Sequence, residues 1–148
     1  DLTGSHCKID GTCCHTPSKA HEECYRHQCF ETTKLVAEAL NIPLEKCLST
    51  FQSRLGIDPW LKPYTADTLE KLPDNGITKL AVLTPSFVSD CLETIEEMDM
   101  ENREIFEEAG GVVYDFIPCL NDSDPWVDAL EKWVKDWCIN QLPTQHIA

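Results

Sequence analysis

ITKLAVLTPSFVSDCLETIEEMDMENREIFEEAGGVVYDFI, residues 77–117, decides the fold class. It opens with ITKLAVL (77–83), a strand pattern whose second half is continuously apolar. Thr84, Pro85 and Ser86 end that run. A long helical stretch follows from about residue 89 to 109, closed by Gly110 and Gly111. VVYDFI (112–117) then reads as another strand. Strands alternating with helices predict a parallel sheet with right-handed crossovers.

Working outward, Phe30, Leu35, Val36, Ala39 and Leu40 recur at three and four residues, which predicts a helix over 24–40, stopped by Pro43. Residues 47–51 are a further strand candidate. Gly56 and Pro59 mark a loop, and Thr65 caps a helix running to about Leu72, with Asp67 in its first turn. Asn75-Gly76 is a turn. Asp122 or Ser123, with Pro125, starts the last helix, which carries Trp126, Leu130, Trp133, Val134 and Trp137. The expected order is a helix followed by three strand–helix units. In such sheets ligands bind beyond the carboxyl ends of the strands. That places the chemistry at residues 52–60, 85–90 and 118–124.

The charge narrows the partners. Twelve Lys and Arg against 26 Asp and Glu leave a net charge of −14 over 148 residues. A nucleic-acid partner or an anionic membrane surface needs a basic face instead. No apolar run approaches the roughly 20 residues of a membrane span. The 42% hydrophobic content with four Trp is enough for a core. The chain begins at Asp1, in a polar loop, so a piece of a longer protein is expected.

Nine cysteines cannot all pair within one chain. Cys7, Cys13, Cys14, Cys24 and Cys29 crowd the first 29 residues, whereas Cys47, Cys91, Cys119 and Cys138 are scattered and read as small buried hydrophobes. Residues 1–24 lack any period, with only Leu2 and Ile9 aliphatic, so this segment cannot bury a core of its own and needs something else to order it.

Glu93, Glu97 and Glu101 are spaced by four and stack along one helix face. Read alone, the row is either a solvated acidic face or a track of oxygen ligands. Such a track starts near the ligand edge of the sheet and suits a divalent cation or transferred protons.

Three separated stretches carry a family resemblance. QSRLGIDPWLKPYT (52–65), PSFVSDCLETIEEMD (85–99) and PCLND (118–122) resemble the C-terminal half of a ferrochelatase, and CYRHQCFETTKLVAEAL (24–40) resembles that family's helix after its metal-site strand. The resemblance covers about residues 24–140. It implies a chelatase-like, Rossmann-like α/β fold, here an incomplete C-terminal half of a two-domain lyase that inserts Fe²⁺ into a porphyrin in haem biosynthesis. By the same resemblance Glu93 matches the active-site glutamate, and Glu97 and Glu101 continue it as a metal or proton path. Phe51, Arg54, Leu55, Trp60 and Phe87 match positions lining the porphyrin cleft. Cys91 stands where many relatives carry a second histidine, so its thiol is expected at the cleft. The family's metal-site histidine would lie just before residue 1: His6, His15 and His21 sit in the cysteine-rich loop. The expected partners are the porphyrin and the N-terminal half of the same enzyme, in a bacterial cytoplasm.

SHCKIDGTCCHTPSKAHEEC (5–24) resembles the insert of those bacterial ferrochelatases that carry a [2Fe–2S] cluster. The resemblance implies Cys7, Cys13, Cys14 and Cys24 as ligands, four thiolates being the count required. A zinc site with Cys and His ligands is the alternative. The expected division is therefore an insert over residues 1–24 and the α/β domain over 25–148. A non-enzymatic iron–sulfur or zinc module, or another tetrapyrrole metal chelatase, are the competing functions.

Overall fold

The computed structural model describes residues 8, 11–52, 56 and 60–141. The expectations for Cys7, Arg54 and Leu55 lie outside these residues.

Helix α1 spans Tyr25–Leu40, with Cys24 at its N-cap. Asn41 ends it in the left-handed region at φ 54°, a conformation Asn tolerates better than other side chains. Helix α2 spans Thr65–Leu69. Strand β1 is Lys79–Val82, and β2 is Val113–Phe116. They pair in parallel, Lys79 opposite Val113 through Val82 opposite Phe116. The crossover between them is a π-helical segment, Glu93–Glu101, running into α3, Asn102–Glu108. Helix α4 is Asp124–Gln141. The parallel α/β reading of residues 77–117 therefore holds.

The strand expected over 47–51 does not form. A 3-10 turn at Leu44–Lys46 takes up its approach, and only Phe51 makes a bridge, parallel to Tyr64. The Phe51 amide donates to the Pro63 carbonyl at 2.9 Å, and the Thr65 amide donates to the Phe51 carbonyl at 3.2 Å. The Ser49 and Thr50 hydroxyls are engaged by Thr33 and Thr65 side chains, at 2.7 and 3.0 Å. Among the described residues the sheet has two strands, where three were expected.

The core is small. Leu69, Phe106 and Tyr114 are buried together, with Leu72, Leu80, Val82, Ile105 and Phe116 packed around them. Gly111 is required by this packing, since a Cβ there would stand 2.3 Å from the Phe106 ring. Tyr114 donates its hydroxyl to the Met98 carbonyl, and Arg103 lies over the Tyr114 ring and donates to the Tyr114 carbonyl. Burial raises the Tyr114 phenol well above its ordinary pKa.

Residues 11–24, part of the segment expected to need outside help to become ordered, form 3-10 turns at Thr12–His15 and Lys19–Glu22, and Cys13 is buried. Protein contacts contribute to that order: His21 stacks on His27 with ring centres 3.9 Å apart, and its Nε2 lies 3.1 Å from the Cys13 carbonyl. No described helix is long and apolar enough to cross a membrane.

Candidate functional site

The helix carrying the acidic row starts three residues later than its sequence suggests, at about Leu92, because Asp90 is committed elsewhere. Its carboxylate accepts from the Thr94 hydroxyl at 3.1 Å, the Cys119 amide at 3.3 Å and the Asn121 side-chain amide at 2.6 Å. The Asp90 amide donates back to Asn121 Oδ1 at 2.8 Å. Asn121 holds a left-handed φ of 49°, and its own amide donates to the Val88 carbonyl at 3.0 Å. Thr84, after β1, meets the Cys119 sulfur, after β2, at 3.4 Å. The loops following both strands are thus tied to one helix start, at the carboxyl edge of the parallel pair.

The Asn121 amide is the main influence holding Asp90 below the usual carboxylate range. A group with a depressed native pKa stabilises the fold above its unfolded value, about 3.9, and loses that contribution as pH falls through the native value. Asp90→Asn is therefore expected to melt below the wild type at pH 7, and the gap should close below about pH 4. Melting curves from pH 3 to 7 check this. A gap that persists in acid would mean that the carboxylate charge is not what ties the loops.

From Glu93 to Glu101 the backbone is π-helical, closed by the Asn102 amide donating to the Glu97 carbonyl, five residues back. Such widening is rare and concentrates at functional sites. It also sets the burial: Thr94, Met98, Asn102 and Phe106 are all buried, at an unbroken spacing of four, where an ordinary amphipathic helix alternates three and four. Glu93, Glu97 and Glu101 each precede a member of that stripe, so the acidic row runs along its margin. Glu93 and Glu101 are exposed, and Glu97 is half-buried. The Cys91 thiol, chiefly, holds the Glu93 carboxylate below its ordinary pKa, so Glu93 is charged at neutral pH. Gln52 donates to Glu97 Oε2 at 3.1 Å and accepts from Asn102 at 3.4 Å. Trp60 donates its indole N–H to the Gln52 carbonyl at 3.0 Å.

Phe51, Trp60 and Glu97 are thereby brought together around Gln52, a residue the sequence reading passed over. Phe51 is buried and meets the Phe30 ring edge-on, Trp60 is 41% exposed, and Phe87 and Cys91 are half-buried. Thr94 and Asn102 were also missed. Their one sequence signal is that Thr94 and Asn102, eight residues apart, each directly follow a member of the acidic row.

In the cysteine-rich segment the Cys13 sulfur accepts from the Lys8 amide at 3.3 Å, and Cys14 accepts from Arg26 Nη1 at 2.8 Å. Burial raises the Cys14 pKa, with Arg26 opposing. Such N–H donors suit cysteine sulfurs that act as thiolate ligands. Among the described residues, however, no three His, Cys, Asp or Glu side chains are grouped so as to hold a metal ion.

The ferrochelatase family model matches residues 14–137. The chain belongs to the ferrochelatase family. It is 45% identical over 137 residues to the ferrochelatase of Opitutus terrae, covering 93% of this chain and 40% of that protein. It is 45% identical over 131 residues to the ferrochelatase of Pseudomonas fluorescens strain SBW25, covering 88% and 38%. With that of Allorhizobium ampelinum it shares 50% over 111 residues, covering 75% and 32%. The chain thus spans about two-fifths or less of these ferrochelatases. The family match begins inside the cysteine-rich segment, leaving Cys7 and Cys13 before it and Cys14 and Cys24 within it.

Proposed function

We propose that this chain is the C-terminal part of a ferrochelatase, a lyase that inserts Fe²⁺ into protoporphyrin IX or coproporphyrin in haem biosynthesis. The observation that carries the reading is the acidic row on a π-widened helix at the carboxyl edge of the sheet, with Phe51 and Trp60 beside it. Glu93, charged and next to the loops that follow both strands, receives pyrrole protons or holds the incoming iron. Glu97 and Glu101 continue a path of oxygen ligands suited to a divalent cation. Phe51, Arg54, Leu55, Trp60, Phe87 and Cys91 contact the porphyrin. The partners are the porphyrin and the N-terminal half of the enzyme. The relatives named above are bacterial, and the setting proposed is a bacterial cytoplasm.

Residues 1–24 form an insert on an α/β domain of residues 25–148, and Cys7, Cys13, Cys14 and Cys24 hold a [2Fe–2S] cluster. The thiol count and the N–H donors at Cys13 and Cys14 support this. Bound there, the cluster supplies a redox-active centre and energy that orders the segment. Stoichiometric zinc in anaerobically purified protein would favour a zinc site instead.

The test is metal insertion by the full-length parent with both porphyrins, beside the isolated 148-residue chain. The parent should form metalloporphyrin and the isolated chain should not exceed the protein-free rate, because by the family resemblance the metal-site histidine would lie on a strand just before residue 1 and half of the cleft would come from the N-terminal half. A parent inactive with every porphyrin overturns the activity. An active isolated chain overturns the division of the site.

A further inference from the structure

Arg26 makes contacts that neither the family match nor the acidic row accounts for. It stands on the first turn of α1, between three parts of the molecule. Its Nη1 donates to the Cys14 sulfur at 2.8 Å, and its Nη2 donates to the Lys62 carbonyl at 3.3 Å. Its guanidinium lies 4.7 Å from the centre of the Phe30 ring, the same ring that meets Phe51 edge-on. Gly11, at φ +76°, is pressed against it: a Cβ there would stand 2.6 Å from Nη1.

The loop end that Arg26 grips is the one that holds Phe51. Lys62 precedes Pro63, whose carbonyl accepts the Phe51 amide, and Thr65 completes the bridge by donating to the Phe51 carbonyl. Phe51 has no strand on which to register. Besides the bonds that hold its neighbours Thr50 and Gln52, its place depends on that single bridge and on Phe30, and Arg26 contacts Phe30 and the carbonyl just before Pro63. A planar guanidinium can serve two acceptors at fixed angles while its face lies on a ring, whereas an ammonium acts as a point charge.

We propose that Arg26 is a positioning residue that clamps the segment bearing Lys62 and Pro63 to α1 and to the Cys14 sulfur, so that the cysteine-rich segment sets the place of Phe51. Its effect on porphyrin rests on the reading of Phe51 and Trp60 as the cleft wall. The clamp itself does not.

The test uses the full-length enzyme, with two readouts: amide hydrogen exchange at Phe51 and Thr65, and the porphyrin KM and kcat. Arg26→Met should speed exchange at both amides roughly tenfold, the scale of one lost hydrogen bond from a charged group. It should raise the porphyrin KM by a similar factor with kcat within about twofold, while amides of β1 and β2 keep their protection. Gly11→Ala, which displaces the guanidinium without removing its charge or any sulfur, should loosen the same two amides. Arg26→Lys should not restore them. Unchanged exchange at Phe51 and Thr65 in Arg26→Met overturns the proposal, as does loosening that spreads equally to β1 and β2. Full rescue by Arg26→Lys would show that charge alone suffices and overturns the two-armed clamp. A wild-type enzyme that binds no porphyrin would refute the proposed function, and the exchange measurement would still decide the clamp.

Discussion

Glu93→Gln in the full-length enzyme is expected to lower metal insertion by roughly 10²–10⁴, the range associated with loss of a positioned acid or base. Glu93 opens the π segment beside Asp90 and Cys91, at the start of the acidic row. The Cys91 thiol favours its charged form, so the wild type presents a carboxylate at neutral pH, and the amide that replaces it can neither take a proton nor act as an anionic ligand. The fold should survive. Glu93 is exposed, and removing one charge from a like-charged row relieves repulsion. Melting temperature and rate should therefore separate, the first nearly unchanged and the second collapsed. Turnover near the wild-type level would return Glu93 to a solvated acidic face. A variant that unfolds would give the side chain a structural role instead.

Phe106→Ala should do the reverse, damaging the fold through packing alone. Phe106 is 0% exposed and sits between Leu69 and Tyr114, its ring centre 6.0 Å from that of Tyr114. It ends the buried stripe that begins at Thr94, so it anchors the helix whose margin carries the acidic row. Truncating a buried phenylalanine typically costs about 3–5 kcal/mol in lost transfer energy and residual cavity. With so few fully buried side chains around it, that is a large share of the 5–15 kcal/mol typical of a whole domain. At a urea slope of about 2 kcal/mol/M, the midpoint should fall by roughly 1.5–2.5 M with little change in slope. A shift under about 0.5 M would mean that the site collapses around the gap, or that the core lies elsewhere. Gly111→Ala attacks the same contact from the other side, because its Cβ would overlap the ring.

The sequence by itself determined what periodicity and local chemistry encode. The apolar run at 77–83, the amphipathic stretch ended by Gly110 and Gly111, and the second apolar run at 112–117 each announce their element within a few residues of its bounds, and their alternation dictates a parallel pair. The four-residue spacing of Glu93, Glu97 and Glu101 put them on one face without any coordinates. Tertiary structure alone decided three things. It reduced the 47–51 strand to a single bridge, because Phe51 found its hydrogen-bond partners at Pro63 and Thr65, and no local pattern names a distant partner. It widened the crossover helix into π geometry over Glu93–Glu101, which helix propensity does not encode, because propensity ranks residues by helix tendency without distinguishing α from π turns. And it joined Gln52 to Glu97, and Arg26 to Cys14 and Lys62, across separations of 45, 12 and 36 residues. Such contacts leave no periodic trace, because a hydrogen bond between distant residues depends on where the folded backbone puts its ends.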